Sequence, residues 1–180
     1  MTNLPPSVKL ADDEKATPFM LYTEQILARG LLISKQSVRV SIWLRTQNAP
    51  DFLRLVNCNV LPMAGAGSIQ ALSFQEYFIA TSQVIAYHML PPAQDPLDYD
   101  PTEPNRKMEP ISVLLGSFRF DGRLRMASAT SVGVHISVAR EMFFSLYEVE
   151  ISNPAIPKLG VIKVPLMLFR PTFVQIASRT

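Results

Sequence analysis

The chain has 180 residues, 48% of them hydrophobic, enough to bury a core without metal or disulfide support. Its single cysteine, Cys58, excludes an intrachain disulfide and fits a reducing, cytoplasmic compartment. A net charge of +2 falls short of the basic footprint of a nucleic-acid binder, which leaves such a partner possible but not favoured.

Residues 1–18 are polar, with Pro5, Pro6 and Pro18 around Asp12, Asp13, Glu14 and Lys15. They have no apolar stretch of the kind that forms a secretory signal, and read as an extended N-terminal arm. A first β repeat is expected over 19–90, with strands over 20–34, 52–61 and 76–90. Val38, Val40, Ile42 and Leu44 alternate with Arg39, Ser41, Trp43 and Arg45, the period of a half-buried strand. Val40, Trp43 and Leu44 also fit helical spacing, so one short helix per repeat, in an α+β fold, is the rival reading.

Residues 91–110 hold Pro91, Pro92, Pro96, Pro101, Pro104 and Pro110 among Asp95, Asp98, Asp100, Glu103 and Glu109. Proline at that density sustains neither helix nor interior strand, so a proline-rich acidic linker is expected. The acids do not form a calcium loop, because prolines intervene and the loop glycine is missing. A second β repeat follows over 111–180, with strands over 113–126, 143–151 and 160–177 and an alternation of Val132, Val134, Ile136 and Val138. Pro165 and Pro171 place the final strand at a sheet edge.

The two repeats echo each other. Arg29, Gly30, Leu31 and Leu32 are answered by Asp121, Gly122, Arg123 and Leu124, 92 residues later. Phe52 to Leu55 and Asn59-Val60 are answered 91 residues later by Phe143 to Leu146 and Glu150-Ile151. Thr81-Ser82-Gln83 and Arg170-Pro171-Thr172 read as matching turns, 89 apart. The expectation is a mainly β chain, a duplicated unit packed as a pseudo-twofold sandwich or barrel.

Chemistry is sparse. His88 and His135 are the only histidines and have no companions at metal-ligand spacing, so no metal, cofactor or catalytic group is expected. Cys58 sits at an apolar strand position. The glycine-containing stretch 63–68 lacks the lysine and hydroxyl of a phosphate loop. Arg119, Arg123 and Arg125 on one strand, with Arg39 and Trp43 in the first repeat, are the candidate contacts for a partner or an anionic ligand. No stretch is long and apolar enough for a transmembrane helix. The expected role is a non-catalytic structural or adaptor subunit, joining protein partners or copies of itself through β edges, arm and linker. The alternatives are a module binding an anionic ligand or nucleic acid, and an enzyme.

Overall fold

A computed structural model describes residues 9–46, 49–63, 70–96 and 98–179. The chain is mainly β and divides into two compact units, Met1–Asp95 and Pro96–Thr180. The first contains β1 (Glu14–Tyr22), β2 (Ile26–Lys35), α1 (Val40–Trp43), β3 (Phe52–Pro62), β4 (Leu72–Ala80) and β5 (Ala86–Met89). The second contains β6 (Arg106–Leu115), β7 (Phe118–Ala127), α2 (Val132–Val138), β8 (Phe144–Ser152), β9 (Ile162–Phe169) and β10 (Gln175–Ser178). Within the first, antiparallel strands run in the order β5-β1-β2-β3-β4; within the second, β10-β6-β7-β8-β9.

The same sequence of elements therefore appears twice, down to a 3₁₀ turn before each last strand, Thr81–Gln83 and Pro171–Phe173. Those turns occupy the two places the sequence marks. A further 3₁₀ turn, over Pro157–Leu159, joins β8 to β9 in the second unit.

The first hairpin is closed by Thr23, whose Oγ1 accepts from the backbone N–H of Gln25 and Ile26 at 3.1 and 3.0 Å. Local side-chain bonding of this kind favours a turn over a continuing strand. It splits the expected strand over 20–34 into β1 and β2. The third strand of each unit carries a bulge, at Asn57 (φ 50°) and Glu148 (φ 52°), where the ladder register shifts. One extra residue lets Leu53 and Leu55 share a buried face with Cys58 and Val60. Phe144, Leu146, Val149 and Ile151 repeat the arrangement.

The segments following β2 and β7 are short helices, which corrects the strand reading of 38–44 and 132–138. Their alternation suits a strand, but β2 lies between β1 and β3 and β7 between β6 and β8, so no free edge adjoins either segment. A helix satisfies its own backbone groups instead. Ser131 caps α2, accepting from Val134 N at 3.3 Å. In the first unit Asp95 plays a similar part, its Oδ2 accepting from Ser41 N at 2.9 Å and Ser41 Oγ at 2.6 Å.

The expected arm and linker both end earlier than the sequence suggests, at β1 and β6. Their described parts are laid over their own units. Leu10 packs with Ala16 and Leu31 on the buried pair Ile33 and Val56. Lys35 binds Asp13 at 2.7 Å, and Lys15 Nζ donates to the carbonyls of Gln36 and Val38 at 3.2 and 2.5 Å. In the second unit Asp98 accepts from Tyr147 Oη at 2.5 Å and Ser145 Oγ at 2.8 Å, and the ring of Tyr99 meets Tyr147 edge-on at 5.0 Å. By ladder register Tyr147 corresponds to Val56 and Arg125 to Ile33. What reads as a linker is thus the lead-in of the second unit, covering the face that Leu10 covers on the first.

Candidate functional site

Arg119, Arg123 and Arg125 share one face of β7, alternating with buried Phe118, Phe120, Leu124 and Met126. Their charge is already met from within the unit. Arg119 Nε lies 2.9 Å from Asp121, and Arg123 Nε lies 3.0 Å from Glu148. Arg125, whose side chain is only 14% exposed, binds Glu103 at 2.7 Å, donates to the Asp100 carbonyl at 3.1 Å and stacks 4.6 Å above the Tyr99 ring. Its role is to pin the acidic lead-in. Hydrogen bonds from Arg125 and Arg106 hold the Glu103 carboxyl below its ordinary value, and hydrogen bonds from Thr102 do the same for Asp100. Asp121 is pushed up by burial, but the Ser112 hydroxyl and Arg119 outweigh that and leave it lowered.

Arg39 and Trp43 lie in the first unit, bracketing α1: Arg39 immediately precedes the helix and Trp43 ends it, both half-buried. Four residues of helix present no extended surface.

The groups with potential reactivity are placed as follows. His88 is buried, its Nδ1 3.1 Å from the Met89 carbonyl and its Nε2 3.1 Å from Tyr22 Oη. A carbonyl oxygen can only accept, which assigns the proton to Nδ1 and leaves Nε2 as the acceptor facing the tyrosine. Burial drives the His88 pKa down to about 4 and raises that of Tyr22. Cys58 is buried and its thiol is pushed up to about 11, far from a reactive thiolate. His135 sits on α2 against the Phe144 ring at 5.5 Å. Glu76, Glu148 and Glu150 pair with Arg54, Arg123 and Lys163. Among the described residues no cluster of three or more His, Cys, Asp or Glu is placed to hold a metal. No helix among them is long and apolar enough to cross a membrane. The glycine-containing stretch lies outside the described residues beyond Met63.

Two features escape sequence reasoning. The first is the outer edge of the first unit. There, among the described residues, β4 pairs with β3 alone, and Leu72, Phe74 and Phe78 stand exposed, as does Phe52 on β3. Phe52 and Phe78, on one face by ladder register, are 62% and 57% exposed, unusual for phenylalanine. The second is a concavity of about 500 Å³ on the first unit, where Arg29 and Asn59 face each other across the β2–β3 ladder beside the Asn57 bulge. Its sequence signal is slight, a glycine between Arg29 and Leu31.

No family model, no curated protein and no solved structure matches the chain.

Proposed function

We propose that the protein is a non-catalytic structural or adaptor subunit of a protein assembly, and that the edge of β4 is where a partner strand joins. The observation that carries this reading is the state of that edge. Edge strands of soluble proteins are guarded by lysine, proline, bulges or brevity, because an unpaired ladder invites another chain. The nine residues of β4 contain neither lysine nor proline, and exposed apolar side chains stand at Leu72, Phe74 and Phe78.

The chemistry asked of a partner is an extended segment with apolar residues at alternate positions and no net charge. A second copy of β4 meets it. Glu76 is the only charge in the strand and is neutralised by Arg54 at 2.5 Å, so two copies approach without repulsion. The described lead-ins lie on their own units and are not part of this reading.

Native mass spectrometry and sedimentation velocity of the full chain test it, with the double variant Phe74→Lys, Phe78→Lys as the edge-blocked control. A dimer that becomes monomeric in the folded variant supports the reading. A heteromeric complex lost in the variant supports the edge and replaces the second copy by another chain. A wild-type monomer that recovers no partner under native purification sinks the proposal.

A further inference from the structure

At one position of the shared scaffold the two units carry opposite chemistry. Arg29 and Asp121 immediately precede the two bulge-facing glycines, and each faces a residue across its ladder, Asn59 and Glu150 respectively. The left-handed bulge residues are Asn57 and Glu148. The following loops also correspond, since Leu90 N donates to Pro18 O at 2.9 Å and Arg179 N to Pro110 O at 3.2 Å.

In the second unit these positions form a closed set of charges. Asp121 pairs with Arg119 at 2.9 Å and Arg179 at 3.8 Å, Glu148 with Arg123 at 3.0 Å, and Glu150 with Lys163 at 2.7 Å. In the first unit all three carboxylates are replaced, by a guanidinium and two side-chain amides. Arg29 is exposed and pairs with no described carboxylate. The Ser73 hydroxyl donates to Asn59 Oδ1 at 2.7 Å, which leaves Asn59 Nδ2 as a donor. Pro18, Leu31 and Leu90 supply an apolar wall to the same concavity, Leu90 standing where the second unit has Arg179.

We infer that this concavity binds an organic oxyanion, a carboxylate or phosphate monoester carried on an apolar group. The anion takes the place that Asp121 fills for its own unit, bonded by the Arg29 guanidinium and the Asn59 amide, while the apolar group lies on Pro18 and Leu90. Oxyanions suit the planar donor fork of arginine, and charge-assisted bonds of this type are the stronger class of hydrogen bond. The second unit, with carboxylates at the equivalent positions, repels such a ligand and serves as an internal control.

The test is a ¹H–¹⁵N titration of the full chain with inorganic phosphate, benzoate and phenyl phosphate in separate arms. A single charge-assisted contact on an open surface implies a Kd on the order of 1 mM. Shifts at the amides of residues 29–31 and 57–59 on adding either aromatic anion support the site, and which of the two binds more tightly identifies the acid group. No shift there with either aromatic anion overturns it, as does a response centred on residues 121–123. The variant Arg29→Asp, Asn59→Glu gives the first unit the residues of the second, and affinity falls by at least about tenfold. Arg29→Gln, a neutral change at an exposed position, gives the same readout if the double variant loses its dispersed spectrum. Unchanged affinity in a folded variant overturns the inference.

Discussion

Gly122 lies so close to the main chain of Tyr147 that a Cβ on the glycine would stand 2.9 Å from the Tyr147 carbonyl oxygen, with Leu146 Cγ nearer still at 2.7 Å. Gly30 has the corresponding relation to Val56, whose carbonyl oxygen would be 3.1 Å away. Both glycines sit opposite a bulge, where the extra residue bends the partner strand toward them. Gly122→Ala is therefore expected to destabilise the protein by about 1–3 kcal/mol, as overpacking in a rigid core does. Gly30→Ala costs less, because its neighbours need give only a few tenths of an ångström. Urea denaturation of the two variants checks the order; equal and negligible losses would show that the ladders relax.

The bulge residues themselves differ in strain. Glu148 has no special tolerance for its left-handed backbone, whereas Asn57 does. Replacing Glu148 by glycine is expected to stabilise by up to about 1 kcal/mol, with the exposed ion pair to Arg123 giving back little of that gain. Asn57→Gly should change stability less. A thermal melt in which Asn57→Gly gains more than Glu148→Gly contradicts this account.

These positions also show what the sequence discloses. The spacing of Gly30 and Gly122, with the break in alternation between Leu55 and Cys58 and between Leu146 and Val149, is visible in one dimension because it reflects a backbone requirement. Period-two patterning locates the strands for the same reason, a buried face recurring along each. It fails at Val132 to Val138, where the alternation is present but both sides of the preceding strand, β7, are already paired with β6 and β8. The candidate arginines are a different case. Their place on β7 is legible, but Glu103 and Glu148 are remote in sequence, and neutralisation by them depends on how the lead-in and the bulge are laid down. Exposure at Phe52 and Phe78 is invisible for a related reason, since nothing local marks β4 as an edge strand.

The lead-in of the second unit is held by hydrogen bonds that can be removed singly. Tyr147→Phe deletes the donor to Asp98 and keeps the ring that meets Tyr99. Hydrogen exchange over residues 98–105 should rise, with a loss of about 1.5–3 kcal/mol in the local opening free energy, the range for a bond to a charged group. Exchange in the first unit should be unchanged, which separates release of this segment from general loosening.

Acid should loosen the same segment. The Glu103 pKa lies below its ordinary 4.5 because Arg125 and Arg106 favour the charged form. A depressed carboxyl stabilises the fold above its unfolded pKa and loses that contribution as pH falls through the folded value. Protection over 98–105 is thus expected to hold at neutral pH and to fail below 4.5, and Glu103→Gln should abolish the dependence contributed by this residue. A profile identical in wild type and variant would assign it to another carboxylate, such as Asp100.

His88 gives a dependence in a higher range. Its folded pKa, about 4, lies below the ordinary 6.5 because burial disfavours the imidazolium. The unfolded chain therefore binds the proton first, and stability is complete above 6.5 and falls as the pH is lowered toward 4. Across that window the loss from this residue is about 3 kcal/mol, from the difference between the two values. His88→Gln retains an acceptor for Tyr22 and removes the titration, so its unfolding free energy should be flatter between those limits even if lower at neutral pH. Equal slopes in wild type and variant would mean that His88 is hydrated and titrates alike in both states.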